Sequence, residues 1–319
     1  MTIELKERLK KFTGKIITVT GPIDPEQMGC ALPHEHIMST FGAESARYPY
    51  YDLEQVLAAV LPYLERIRGF GCQTIVDCTA AYFGRHPELL RRIAMKSGLT
   101  ILTNTGYYGA AEDRYVPVHA FAESVAQISA RWVREFVFSI DDTGIYPGFI
   151  KTAVDEGPLS EIDRKLIFAA GHTHLQTGLT IQTHTGANVT AAQDIIKILQ
   201  GLGVHPGAWI WTHAHQAPST APLIAAAQAG AWLSLDGINA ENCDHILQIA
   251  VELKQDGYLA NLLLSHDGDS YFGKGEFRPY HYLFTDFIPL LIKNGFNKDE
   301  IWQMMVDNPR RAFTIQIRQ

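Results

Sequence analysis

Six side chains in this 319-residue sequence have the types and placement needed to hold divalent metal. Two sit in His34-Glu35-His36. Along a β-strand, residues i and i+2 point the same way. A strand here would turn both imidazoles toward one ion and send Glu35 the other way, toward the helices. Alone, an H-x-H triplet is a weak signal, because short histidine patterns recur by chance. Lys151 follows the apolar pair Phe149-Ile150, and lysine is seldom buried without a partner. A neutral lysine amine combines with carbon dioxide to give a carbamate, an anionic ligand with two oxygens. The plain alternative is a lysine whose head reaches solvent. His184 closes the run LTIQTH, His213 closes AWIWTH, and Asp267 directly follows LLLSH. Each of these three is, singly, as readily a satisfied polar residue as a ligand. Four His, one Lys and one Asp at the ends of β-rich runs form a set that points to metal. A carbamate, the Asp267 carboxylate and a bridging hydroxide would offset three of the four charges on two divalent ions. The site then stays slightly positive, suited to polarise a carbonyl or phosphoryl oxygen.

The elements that must position this set alternate along the chain. Short β-rich runs are Cys30 to Ile37, Thr74 to Thr79, Thr100 to Thr105, Phe149 to Val154, Leu179 to His184, Ala208 to His213, Ala231 to Asp236 and Leu262 to His266. Helical spacing lies between them at Leu53 to Ile67, Ser160 to Gln176, Ala191 to Leu202 and Ala221 to Ala229. Two end signals bracket the second of these: Ser160 opens an S-x-x-D cap, and Gly178 stands where a helix end wants positive φ. The βα rhythm implies a parallel sheet. Eight units and no G-x-G-x-x-G favour an α/β fold of the closed (β/α)8 TIM-barrel type over an open doubly wound sheet. The expected organisation is one domain over residues 1–319, with a short N-terminal extension, a long loop from Tyr271 to His281, and a helical cap from Phe296 to Phe313. In such barrels the active site lies at the carboxyl ends of the strands, where the six candidates fall.

Composition sets the outer limits. Apolar residues make up 46% and charged residues 19%, enough for one large core. The net charge of −7 argues against nucleic acid, whose phosphates call for surplus Lys and Arg. Cys30, Cys72, Cys78 and Cys243 form no C-x-x-C pair and read as buried free thiols. The polar stretch Met1 to Lys15 lacks an apolar signal region, and the apolar runs are short of a membrane span. A cytoplasmic setting is the resulting expectation.

Several motifs occur together and in order: Gly21-Pro22-Ile23, Leu32-Pro33-His34-Glu35-His36, Thr105-Gly106-Tyr107-Tyr108, Gly148-Phe149-Ile150-Lys151, Thr183-His184, Ser265-His266-Asp267 and Asn308-Pro309-Arg310. From about Gly21 to Phe313 the sequence resembles the phosphotriesterase family of the amidohydrolase superfamily. The resemblance implies a binuclear site, with zinc first and manganese or cobalt as alternatives. His34, His36 and Asp267 would hold the more buried ion, and His184 and His213 the more exposed one. Carbamylated Lys151 and a hydroxide would bridge them. Tyr108 matches a tyrosine lining the substrate pocket. Two departures concern substrate: Gly237, not Arg, follows Asp236, and His215 stands where Asp is common. His172, His174 and His266 are expected to be structural or to support ligands. The resemblance implies hydrolysis of a small lactone or carboxylic ester, with hydroxide as nucleophile and Asp267 taking up the proton. Phosphotriester or cyclic amide hydrolysis, and metal binding without turnover, are the alternatives. No nucleic acid or membrane partner is expected, and a homodimer is compatible with the reading.

Overall fold

The computed structural model describes residues 2–41, 45–47, 50–269 and 278–319. Most of the loop expected between Tyr271 and His281 therefore lies outside the described residues. Among those described, eight barrel strands follow one another: β1 Ala31–Glu35, β2 Thr74–Asp77, β3 Thr100–Leu102 continued by Asn104–Thr105, β4 Phe149–Ala153, β5 Thr180–His184, β6 Trp209–Thr212, β7 Trp232–Leu235 and β8 Leu262–Leu264. Each pairs in parallel with the next. The ring closes just beyond β8, where the Asp267 N–H donates to the His34 carbonyl at 3.1 Å and the His36 N–H to the Gly268 carbonyl at 2.8 Å. This is the expected (β/α)8 barrel.

The helices obey local capping rules. Ser160 and Asp163 form a capping box for the helix Glu161–Thr177, and Gly178 ends it at φ 75°. A Cβ at Gly178 would come within 2.8 Å of the Gln316 backbone, so glycine is needed there for space as well as for φ. Helices Pro87–Ser97, Val118–Ala122, Val125–Phe138 and Cys243–Gln255 complete the alternation, beyond those named from the sequence. The polar N-terminal extension contains a helix, Ile3–Phe12, whose Phe12 packs edge-on against Phe136 and Tyr146. The C-terminal cap runs from Lys298 to Phe313 with a π turn over Gln303–Asp307, and a second π turn spans Leu283–Phe287. Each π turn lies just ahead of a proline, Pro309 or Pro289. Proline has no N–H to continue the i→i−4 ladder, and a local π turn absorbs the break.

The barrel interior is layered. Val76, Leu102, Phe149, Ile210, Trp232 and Leu263 fill its lower part, and Ile16, Met28 and Phe313 plug the bottom. Lys151 lies two residues beyond Phe149 on β4, so it faces the same interior one layer higher. The apolar floor thus sets the depth at which polar groups begin. No helix among the described residues is long and apolar enough to cross a membrane.

Candidate metal centre

The end of β1 keeps the alternation expected of a strand, although its register against β2 shifts between Leu32 and Glu35. His34 and His36 both line the pocket at the barrel mouth. Glu35 does turn away from the pocket, but toward the β8 end and not toward the helices. Its Oε1 accepts from Ser265 Oγ at 2.8 Å and the His266 N–H at 3.0 Å, and its Oε2 accepts from the Gly268 N–H at 2.6 Å. Buried Glu35 therefore clamps the segment that carries Asp267. His266 completes the clamp: its Nε2 accepts from the Leu283 N–H at 2.9 Å, so Nδ1 holds the proton that faces Glu35 Oε1 at 3.1 Å. His174 is likewise structural, with Nδ1 donating to the Leu179 carbonyl and Nε2 accepting from the Arg318 N–H.

All six candidates, His34, His36, Lys151, His184, His213 and Asp267, line one cavity of about 560 Å³, and Tyr108 lines it too. Two of them stand just past their strands. His213 follows β6 in the left-handed region at φ 60°, and Asp267 lies beyond β8 at φ 51°. That conformation is uncommon for these residue types and recurs where function holds it in place. The strand ends expected at His213 and His266 are corrected accordingly.

The spacing of the donor atoms separates two kinds of contact. His34 Nε2 and His36 Nε2 each lie 3.4 Å from Asp267 Oδ1, and Lys151 Nζ lies 3.5 Å from His34 Nε2. A tetrahedral ion with ligands at about 2.0–2.1 Å separates them by about 3.4 Å. His34, His36 and Asp267 thus fit an ion between them. By contrast, His34 Nδ1 is 2.8 Å from Asp236 Oδ2, and His213 Nδ1 is 2.5 Å from Asp236 Oδ1. Those are direct hydrogen-bond lengths, with no room for an ion between nitrogen and oxygen. Although His34, His213 and Asp236 also cluster closely enough to suggest a metal group, we read Asp236 as the carboxylate that orients two imidazoles. Oδ2 hydrogen-bonds the His34 ring and Oδ1 lies in ion-pair contact with the His213 ring, so each Nε2 is left with its lone pair free for a cation.

His36 reaches the same tautomer by another route. Its Nδ1 lies 2.8 Å from Thr79 Oγ1, and that hydroxyl gives its own proton to the Met38 carbonyl at 2.9 Å. Thr79 can only accept from His36, so His36 Nδ1 carries hydrogen and Nε2 is free. His184 and His213 have ring centroids 4.5 Å apart, placing a second pair of imidazoles beside Lys151.

Electrostatics agrees with a cation site. Burial, helped by the charge of Lys151 while it is unmodified, pushes His34 down to about 3 against the pull of Asp236 and Asp267. Burial and the His213 charge hold His184 well below the usual range. Both are neutral, as ligands must be. Burial opposes ionisation of Asp236, yet His213 and His34 hold it well below the carboxylate range. Asp267 is held low in the same way by His34, His36, His213 and Arg278. Lys151 is 0% exposed and has no carboxylate within ion-pair distance among the described residues. A buried ammonium in that position would be uncompensated, so the donor set fits an amine converted to an anionic ligand.

Several contributors were not legible as such. In the sequence Asp236 stands out only as the end of a β-rich run followed by glycine. His215 lines the cavity, with Nδ1 3.7 Å from Asp236 Oδ1, and its ring fills the space beside Gly237. Arg278 on the rim pairs with Asp267 Oδ2 at 3.1 Å, and nothing in its local sequence marked it. Tyr108 stacks on Phe83 with centroids 4.6 Å apart and planes at 6°, and it lies 5.6 Å from the His184 ring. Burial and nearby Asp267 push its phenol up, which keeps it a proton donor.

A closed (β/α)8 barrel with a buried His/Asp cluster at the carboxyl ends of its strands defines a barrel of the metal-hydrolase type. The model of the phosphotriesterase family matches residues 14–313, and the chain belongs to that family. It is 29% identical over 317 residues to the phosphotriesterase homology protein of Mycobacterium tuberculosis, covering 94% of this chain and 97% of that one. It is 25% identical over 356 residues to the N-acetyltaurine hydrolase of Salmo salar, covering 97% of this chain and 100% of the relative. The aryldialkylphosphatase of Saccharolobus solfataricus is 25% identical over 307 residues, covering 92% and 97%. Among solved structures, a mutant of the organophosphorus hydrolase of Deinococcus radiodurans superposes with a TM-score of 0.85 at 25% identity, covering 95% and 98%.

The double grip of Asp236 leads to an expected result. Asp236→Asn replaces an acceptor oxygen with a donor, and one imidazole then loses its orienting partner. Metal affinity should fall about 10–100-fold, read by competition with a chromophoric chelator. Unchanged affinity in a folded variant would show that Asp236 does not orient ligands.

Proposed function

We propose that the chain is a binuclear-metal-dependent hydrolase of a lactone or carboxylic ester, with His34, His36 and Asp267 holding one ion, His184 and His213 the other, and carbamylated Lys151 between them. The observation that carries this reading is the 3.4 Å spacing of His34 and His36 Nε2 from Asp267 Oδ1, beside a buried lysine with no carboxylate at ion-pair distance among the described residues. Two divalent ions, zinc first, would supply Lewis acidity and a hydroxide nucleophile at neutral pH. The chain's own groups do the rest. Asp236 and Thr79 hold the imidazoles in the ligand tautomer. Asp267 Oδ2, turned away from the histidines and paired with Arg278 at the rim, is the oxygen that would take up a proton and pass it toward the leaving group once Arg278 turns to the substrate. The Tyr108 hydroxyl donates to the substrate's carbonyl or ring oxygen. Phe41, Phe83 and Tyr108 form an apolar wall of the cavity that keeps water off the acyl part. Cys72 and Cys78 are buried as expected, whereas Cys30 and Cys243 are only half-buried; a cytoplasmic setting is part of this proposal.

The flat Tyr108–Phe83 stack narrows the cavity beside His184, and a planar carbonyl enters such a slot more easily than phosphorus with three bulky substituents. On one metal-loaded preparation, kcat/KM for short-chain or sugar-derived lactones should exceed that for a phosphotriester. A phosphotriester preferred by more than about tenfold, or ~1.4 kcal/mol, overturns the lactonase assignment and leaves the metal hydrolase standing.

Arg278 supports a second reading. Its guanidinium stands at the rim beside the cluster, where it can meet an anionic end of a substrate. N-acetyltaurine, the substrate named for the Salmo salar relative, is an amide with such an end, a sulfonate. On this reading Arg278→Met raises KM for anionic amides by about 10–100-fold, the value of a hydrogen bond to a charged group, and leaves neutral lactones unchanged. Equal effects on both substrates would rule out Arg278 as an anion contact.

A further inference from the structure

At the opposite end of the barrel lies a second cavity of about 560 Å³, with Arg310, Arg311, Arg318, His205, Trp232 and Glu26 in its walls. It sits where β5 to β8 begin, far from the strand ends that carry the metal cluster. Arg310 is neutralised by Asp307 at 2.9 Å. Arg311 and Arg318 have no carboxylate within ion-pair distance among the described residues; Glu26, on the same cavity, pairs with neither. Arg318 donates to Thr180 Oγ1 at 3.2 Å and to the Arg311 and Thr314 carbonyls at 2.8 and 3.2 Å. Those oxygens satisfy its N–H groups but carry no net charge. Arg311 lies over the Trp232 ring, 5.3 Å from its centroid, which holds its head in place. Its nearest polar contact is the Ala260 carbonyl at 3.5 Å. Burial and the Arg311 charge pull Arg318 down to about 10, as expected for like charges sharing a partly buried mouth.

His205 adds a directed donor. Its Nδ1 accepts from the Gly207 N–H at 2.9 Å, so in the neutral ring Nε2 carries the hydrogen. Gly207 and Gly230 keep this wall low: a Cβ at either would come within 3.0 Å of the His205 ring. On a chain of net charge −7, two uncompensated guanidiniums and an imidazole N–H around one cavity form a local positive site.

We propose that this cavity binds a phosphate group, free or carried by a small metabolite, with Arg311 and His205 donating hydrogen bonds and Arg318, whose N–H groups are already engaged, supplying positive charge behind them. Guanidinium N–H groups match phosphate oxygens in geometry and charge, and the dianion would compensate both arginines. The site is independent of the catalytic cluster and of the function proposed for it.

The test is isothermal titration of the metal-loaded full chain with inorganic phosphate, with ionic strength matched by sodium chloride. Wild-type protein is expected to bind with Kd below about 1 mM. Arg311→Gln, at an exposed position, should weaken that binding by about tenfold or more, equivalent to ~1.4 kcal/mol, with hydrolysis of substrate unchanged. Phosphate held by metal in the catalytic pocket would survive this substitution. Glycerol phosphate and a nucleoside monophosphate, titrated in parallel, distinguish the sources: tighter ester binding lost in Arg311→Gln assigns a phosphorylated metabolite, and equal or weaker ester binding assigns free phosphate. Phosphate binding that is absent, or the same in wild type and Arg311→Gln, overturns the proposal.

Discussion

Exhaustive treatment with a strong chelator is expected to abolish hydrolysis, with loss of at least about 10³-fold in kcat, and zinc, cobalt or manganese should restore it. The reasoning starts from the donor atoms. Three imidazole Nε2 lone pairs are left facing the cavity because Asp236 and Thr79 engage the Nδ1 atoms of His34, His213 and His36. Without an ion, those lone pairs and the Asp267 carboxylate face one another in a buried pocket. Binding should therefore stabilise the fold as well as activate it. One ion at a hundredfold its Kd adds about 2.7 kcal/mol, visible as a rise in Tm on metal addition. Full activity in protein shown metal-free by elemental analysis would end the metal-hydrolase proposal.

Lys151→Ala is expected to lower kcat/KM by about 10³-fold, or ~4 kcal/mol, and a short carboxylate in the medium should recover part of that loss. Lys151 is fully buried, directly above Phe149 on the inward face of β4. An ammonium there has no carboxylate partner at ion-pair distance among the described residues, whereas a carbamate supplies the negative charge the neighbouring imidazoles lack. Rescue discriminates between roles: an added carboxylate replaces a missing anionic ligand and does nothing for a packing defect. A variant that keeps its metal and its activity would remove Lys151 from the site, as would an unmodified amine with no metal contact in a crystal structure of the loaded enzyme.

The sequence carried most of the fold. The alternation of β-rich and helical runs named eight strands within two or three residues of where they lie, and Ser160 and Gly178 bracketed their helix as read. The misses differ in kind. Helices Val125–Phe138 and Cys243–Gln255 were legible in the sequence, since both are amphipathic and Ser124 with Gln127 forms a capping box for the first. The π turn before Pro309 interrupts a cap that periodicity alone reads as regular, and a like turn precedes Pro289.

For the site, the sequence by itself determined the inward ligand candidates, because strand parity is local: Lys151 follows Phe149 by two residues, and His184 ends β5. It could not determine how they are held. His34 and Asp236 are 202 residues apart, and only barrel closure brings β1 beside the strand ends that share that carboxylate. The register shift in β1, the left-handed backbone at His213 and Asp267, and the Glu35 clamp on the β8 end all depend on hydrogen bonds between distant segments. Tautomer and ligand direction follow from those bonds, so they belong to the tertiary structure. The same holds for Arg278 at one end of the barrel and for Arg311 with Arg318 at the other. Their charges are plain in the sequence, but whether an acid stands beside them is decided only by packing.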